Sequence, residues 1–271
     1  MKLSALYKAL RETLSESDAR YVIDKRLGLS SADIISSPDL EVEEGQALQD
    51  LARVNEGQPL SRIYGEREFW GLNFGLSPDT LDPRADTETL IEAVLERYKD
   101  APPRSILDLG TGSGCILLSL LSEYKDAQGL GVDLSEGAVE TARANAKSLG
   151  LENRASFRQG NWAQGIDQKF DLLVSNPPYI ASKVIPELDE NVQKYDPILA
   201  LDGGEDGLQA YKIIFSEIFR ILNPGGYAYF EIGFDQAESV MRLSEESRFS
   251  NTRLISDSAR LPRVVEIFFA P

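Results

Sequence analysis

From residue 104 onward, short apolar runs alternate with longer stretches of helical periodicity, and few folds accommodate that alternation. The pattern predicts strands over 105–109, 130–133, 155–158, 171–175, 227–231 and 264–269. Between them it predicts helices over 115–124, 136–149, about 207–222 and 236–243. Strands separated by helices of this length cannot pair as tight hairpins. They build a mostly parallel sheet with helices on both faces. The expected fold class is α/β, Rossmann-like, with ligands bound beyond the carboxyl ends of the strands.

The first 60 residues follow a different rule. Leu3, Leu6, Tyr7, Leu10 and Leu14 recur at spacings of three and four, the signature of one apolar helix face. Ser15 and Asp18 have capping-box spacing ahead of Ala19, Val22, Ile23 and Leu27, and Gly28 offers a stop. A third helix is predicted over 46–54, with Ala47, Leu48, Leu51 and Val54 inward. Short helices need partners to bury such stripes, so 1–60 reads as a small helical domain. In 61–83, Tyr64, Phe69, Trp70 and Phe74 are interrupted by Gly65, Gly71 and Gly75, which predicts a β-hairpin linker. The remainder, 84–271, opens with a helix near Asp86 whose buried side is Leu90, Ile91, Val94 and Leu95, and which ends before Pro102 and Pro103.

Composition restricts the chemistry. The chain has no histidine, so neither a histidine triad nor a histidine metal site is available. A single cysteine, Cys115, allows no internal disulfide and no cysteine-based zinc site; its expected role is packing, and no metal is expected. The net charge of -16, from 28 Lys plus Arg against 44 Asp plus Glu, repels phosphate backbones at long range. No stable nucleic-acid binding is therefore expected. The sequence shows neither an apolar run long enough to span a bilayer nor a secretory pattern after Met1, which implies a cytoplasmic protein without a membrane partner.

The strand over 105–109 runs into Gly110, Thr111, Gly112, Ser113 and Gly114 and then a helix. Glycines there let a ligand approach main-chain N–H groups closely. The next strand ends at Asp133, about 20 residues on, where a ribose-binding carboxylate is expected in a nucleoside-binding unit. A dinucleotide site uses the same geometry, and a plain structural turn also needs glycines. Here, however, the spacing is D-x-G-x-G-x-G, with Asp108 two residues before the first glycine. By Coulomb sign, an acid beside the loop suits the cationic sulfonium of S-adenosylmethionine better than a pyrophosphate. Asn161 and Trp162 follow the strand over 155–158, in position to meet an adenine by hydrogen bond and stacking; a tryptophan packed for stability is the alternative.

Asn176, Pro177, Pro178 and Tyr179 follow the strand over 171–175. An amide or aromatic amine nitrogen has a delocalised lone pair and is a poor nucleophile. Two acceptors, Asn176 Oδ1 and the Pro177 carbonyl, suit its two N–H groups and stabilise the charge that appears on it during transfer. The prolines pre-set the backbone, and Tyr179 offers a stacking surface. An ordinary turn after a strand is the competing reading. Arg84 has two readings as well: it orients a substrate loop, or it pairs with an acid such as Glu88 at a helix start.

These residues resemble the release-factor glutamine methyltransferases nearly end to end. The resemblance covers Gln58, Pro59, Tyr64, Gly65, Phe69, Phe74, Pro83, Arg84, Thr87 and Glu88, then 108–114, Asp133, Trp162 and 176–179. It continues through Gly203, Gly204, Asp206, Gly207, Leu208, Glu231, Gly233, Gln236 and Arg263. The tetrapeptide alone is also shared with adenine-N6 DNA methyltransferases, which makes nucleic-acid methylation an alternative; glutamine methylation of a ribosomal protein is another. The resemblance implies an N-terminal domain that helps recognise a protein substrate. It also implies a seven-stranded class I methyltransferase domain with its last strand antiparallel. The implied reaction methylates N5 of the glutamine in the Gly-Gly-Gln motif of peptide chain release factors, leaving S-adenosyl-L-homocysteine; a monomer is expected. The 110–114 loop, Asp133 and Trp162 are assigned to the cofactor, and Asn176 to both cofactor and glutamine. Two positions depart from the family: Asn161 stands where Asp is frequent, and Asp196 where Glu is usual before Pro197.

Overall fold

The computed structural model describes residues 1–247, 249 and 251–270, which separate into two units, Met1–Gly65 and Glu66–Pro271. The first unit holds five helices: α1 (Leu3–Arg11), α2 (Glu16–Leu27), α3 (Ser31–Ser36), α4 (Gly45–Asn55) and α5 (Leu60–Tyr64). The expected stripes meet, because Leu3, Leu6, Leu10, Leu14, Ala19, Val22, Ile23 and Ala47 form one buried cluster. Ser15 caps α2 by accepting the Asp18 N–H, and Gly28 ends it in the left-handed conformation, φ 64°. A polar tie crosses this bundle: Arg26 Nε and Nη2 donate to the two Asp50 oxygens at 2.6 and 2.9 Å, and Tyr64 Oη donates at 2.7 Å. Burial pushes the Asp50 carboxyl up, but the Arg26 and Tyr64 hydrogen bonds outweigh it and hold the group below its usual range.

The second unit begins with β1 (Glu66–Phe69) and β2 (Leu72–Gly75), the expected hairpin. Phe69 pairs with Leu72, so the loop is two residues, and Trp70 and Gly71 both take positive φ, as a twisted two-residue turn requires. There follow α6 (Glu88–Arg97), β3 (Ser105–Leu109), α7 (Cys115–Glu123), β4 (Gln128–Asp133), α8 (Glu136–Ser148), β5 (Ala155–Gln159) and β6 (Phe170–Ser175). The chain continues through α9 (Glu190–Tyr195), α10 (Gln209–Ile221), β7 (Leu222–Glu231), α11 (Ala237–Glu246), β8 (Thr252–Ser256) and β9 (Pro262–Phe268).

Seven strands form one sheet in the order β5-β4-β3-β6-β7-β9-β8. The last strand, β9, runs antiparallel to both its neighbours, β7 and β8, while β3 to β7 pair in parallel, as the resemblance implied. Alternate residues feed opposite faces. Ile106, Leu172, Val174, Tyr229 and Val264 pack under α6, α7 and α8 with Leu90, Leu117 and Val139. Leu107, Leu173, Ala228, Phe230 and Val265 pack under α10 and α11 with Tyr211, Ile214, Ile218 and Val240. The chain leaves β3 toward β4 on one side and enters β6 on the other, so strand order reverses there. A crevice opens at such a reversal.

Candidate active site

That crevice is a cavity of about 350 Å³ above the carboxyl ends of β3, β4 and β6. On one side stands the turn after β3. Gly110, Gly112 and Gly114 take φ values of 75°, 55° and 80°, which only glycine adopts without strain. The Gly110 and Thr111 N–H groups both donate to the Val132 carbonyl, at 2.8 and 3.0 Å, and this pins the turn to β4. Asp133, at the end of β4, accepts the Gly112 N–H on Oδ2 at 2.8 Å and the Ser135 N–H on Oδ1 at 2.9 Å. Its carboxylate is thus fixed in orientation, while burial raises its proton affinity.

Asp108 does not line the cavity. It is fully buried below the turn, where Oδ2 accepts the Thr111 hydroxyl at 2.7 Å and Oδ1 has no hydrogen-bond partner. Burial pushes its carboxyl up to about 7. Gly114 also lies beneath the surface, where a Cβ would sit 3.2 Å from Ala142 Cβ and from Leu118 Cδ1. Gly110, Thr111, Gly112, Ser113 and Asp133 do line the cavity. Cys115 lines it as well, and burial raises its thiol to about 12, outside the range of a ready nucleophile.

Asn161 and Trp162, in the loop after β5, also line the cavity. Trp162 takes φ 50°, an uncommon conformation for a bulky residue. Its ring lies over Gly110, where a Cβ would come within 3.5 Å of the ring atom Cζ3. The indole also packs on the core under α10, so the stabilising and ligand-facing readings of this residue are compatible.

The other wall follows β6. Asn176 and Pro178 line the cavity, whereas Pro177 is buried behind them and Tyr179 lies outside the lining. Asn176 Nδ2 donates to the buried Thr87 Oγ1 at 3.3 Å, which leaves Asn176 Oδ1 as an acceptor. The Tyr179 carbonyl accepts the Gln236 side-chain N–H at 2.9 Å, and Ile180 exchanges main-chain bonds with Leu201 and Gly203. A Cβ on Gly203 would stand 2.8 Å from the Pro178 carbonyl oxygen and 2.9 Å from Tyr179 Cα, so this close approach requires glycine.

Arg84 lines the cavity near Thr87, and its partner is Asp196 rather than Glu88. Glu88 instead accepts the Trp70 N–H at 3.0 Å. Two residues to which sequence reasoning gave no role stand here: Thr87 lines the cavity, and Glu231 is buried behind it. Glu231 is 1% exposed at the end of β7 and faces both Thr87 and Asn176. The signal available in the sequence was an ionisable residue closing an otherwise apolar strand. Among the described residues no acidic or cysteine cluster fits a metal, and no helix is long and apolar enough to cross a membrane.

Comparison with known proteins points the same way. Residues 102–261 match a family described as "Methyltransferase domain". The release factor glutamine methyltransferase of Rhodospirillum rubrum is 48% identical over 84% of this chain and 71% of its own length. The enzyme of that name from Bradyrhizobium diazoefficiens is 42% identical over 97% of this chain and 91% of its own. Among solved structures, the ribosomal protein L11 methylase of Lactobacillus delbrueckii subsp. bulgaricus superposes with a TM-score of 0.51 at 21% identity. That match covers 70% of this chain and 83% of the other, a likeness of fold alone.

Proposed function

The chain belongs to the release factor glutamine methyltransferase family, and we propose that it methylates N5 of the glutamine in the Gly-Gly-Gln motif of peptide chain release factors, with S-adenosyl-L-methionine as donor. One observation carries the reading. Asn176, with its amide oxygen uncommitted, lines the same cavity as the 110–113 turn and Asp133.

The residues present suit this donor. Asp133 is held by two main-chain N–H groups with its remaining lone pairs available for ribose hydroxyls. Asn161 and Trp162 provide an amide and an indole face for adenine. Asp108 and Asp133 put carboxyl groups close to the glycine turn and favour a cation there. When bound, S-adenosylmethionine supplies an electrophilic methyl on a sulfonium and is released as S-adenosyl-L-homocysteine.

The protein's own contribution is orientation and charge stabilisation. Asn176 Oδ1 and the Pro177 carbonyl accept the two N–H groups of the glutamine amide and aim its nitrogen at the methyl. Both acceptors oppose the positive charge that grows as amide resonance is lost. Pro177 and Pro178 keep the backbone from relaxing, and Arg84 borders the substrate. With no histidine in the chain, the surplus proton goes to water. The helical unit helps dock the release factor, and the enzyme acts as a monomer in the cytoplasm without stable nucleic-acid binding.

The test uses S-adenosylmethionine labelled on the methyl, with purified release factor, ribosomal proteins or DNA as acceptor, and locates the label by mass analysis. Label on the Gly-Gly-Gln glutamine is expected. Label on DNA or on a ribosomal protein, with the release factor left unmodified, overturns the reading.

A further inference from the structure

We infer that Glu231 is a positioning residue for this transfer: together with the Thr87 hydroxyl, its carboxylate holds the Asn176 amide by the NH2 end and so presents Oδ1 to the acceptor nitrogen. The inference rests on the proposed reaction and adds to it a residue behind the substrate-facing wall.

The sheet supplies the juxtaposition. Ser175 and Phe230 are paired across β6 and β7, so Asn176 and Glu231 are the next residues on adjacent parallel strands. Thr87 comes from the turn before α6 and completes a three-sided cluster. Glu231 is 1% exposed, yet its Oε2 has no hydrogen-bond partner. A buried oxygen left so is costly, and such conflicts concentrate where function needs them.

The charged and titratable neighbours come from several elements. Asp86 lies beside Thr87, Arg263 on β9, Tyr179 after β6, and Cys115 at the start of α7. Tyr211 on α10 donates to the Glu231 main-chain oxygen at 2.8 Å and not to the carboxylate. Arg263 Nη2 is engaged by Asp86 at 3.0 Å and Asp257 at 3.2 Å, so its charge reaches Glu231 only from a distance. Burial pushes the Glu231 carboxyl up to about 7, although Thr87, Arg263 and Asn176 pull it down.

A carboxylate at the nitrogen end of an amide polarises it and increases the negative charge on its oxygen. That oxygen faces the substrate nitrogen, on which positive charge develops during transfer. In the proposed step the methyl carbon–sulfur bond breaks with its electron pair retained by sulfur, a nitrogen–carbon bond forms, and the N–H proton leaves to water. Glu231 acts through Asn176 and does not receive that proton.

Steady-state kinetics of the full chain with release factor, measured from about pH 6 to pH 9, test this. In the wild type, kcat is expected to rise through an inflection near the Glu231 value of about 7. Glu231→Gln keeps the shape and removes the charge. It should lower kcat by about 30-fold or more, leave KM for both substrates within about 3-fold, and flatten the rising limb. Thr87→Val, which removes only the hydroxyl, reads the same clamp should E231Q lose its fold, and a smaller fall in kcat at unchanged KM is expected. Wild-type kcat and pH profile in E231Q, or wild-type kcat in T87V, overturn the assignment. A wild-type enzyme that leaves the release factor unlabelled overturns the underlying reaction instead, so the two failures are told apart.

Discussion

Arg84 Nη2 stands 2.6 Å from Asp196 Oδ2, joining the turn that leads into α6 to the segment that follows α9. The carboxylate side chain is 5% exposed and the arginine about half exposed. Leu199 and Ala200, three and four residues beyond Asp196, line the cavity. The pair thus ties a segment that borders the cavity to the turn ahead of α6.

Removing Arg84 takes away a cation 2.6 Å from the buried Asp196 carboxylate. Arg84→Met is expected to lower unfolding free energy by about 1–2 kcal/mol, and adding Asp196→Asn should restore part of the loss. Urea titration of the two single variants and the double variant gives the coupling. A coupling of zero would mean that the pair does not hold the segment.

Asn176→Ala should depress turnover about 100-fold or more while S-adenosylmethionine affinity changes by less than about 3-fold, because the amide oxygen opposes charge present only during transfer. Calorimetric titration alongside single-turnover kinetics separates the two quantities. A loss confined to donor affinity would move Asn176 from the acceptor to the donor.

Asp108 carries an expectation with a definite sign. Its folded value of about 7 lies above the 3.8 of an ordinary aspartate, so the folded state binds the extra proton between those limits. The stabilisation from this group is full below about pH 4 and is lost as pH rises through about 7. Relative to wild type, Asp108→Asn should therefore gain stability at pH 8 compared with pH 5, and it should bind the cationic donor more weakly. Urea melts at the two pH values give the sign; an equal difference at both would show that the carboxyl does not titrate in this window.

Gly203→Ala forces a methyl against the Pro178 carbonyl and Tyr179 Cα, both main-chain atoms that cannot swing aside. A cost of about 1–3 kcal/mol in stability is expected. Turnover should fall as well, since the displaced backbone directly follows the proposed acceptor pair at Asn176 and Pro177. Wild-type turnover in a folded variant would uncouple this contact from the site.

The central strands were legible because both faces are buried, which makes their sequences continuous apolar runs such as Leu172, Leu173 and Val174. The strand β8 escaped detection for the opposite reason. It is an edge strand, largely exposed, with Leu254 and Ile255 set among Thr252, Arg253 and Ser256. The start of β7 at Leu222 lies ahead of the strand predicted over 227–231, because Pro224, Gly225 and Gly226 interrupt the apolar pattern; a register irregularity against β6 accommodates them. The short helices α3, α5 and α9 hold only five or six residues each, too few to display a period. At the site, the glycine turn, Asp133 and 176–179 are contiguous or regularly spaced, so spacing exposed them. The link between Asn176 and Thr87 spans 89 positions and exists only once α6 is docked. The Arg84 partner was misjudged for the same reason, because proximity in sequence favoured Glu88 while the fold delivered Asp196.

The glycine turn and the 176–179 tetrapeptide hang from β3 and β6, which are hydrogen-bonded neighbours with Asp108 opposite Val174. Adjacent strands lie about 4.8 Å apart whatever side chains they carry. On the proposed reading, the two loops that a methyl group passes between therefore start from points spaced by a main-chain ladder. On that reading, the segments that roof the cavity can change to suit a different nitrogen while the starting separation of the two loops stays the same.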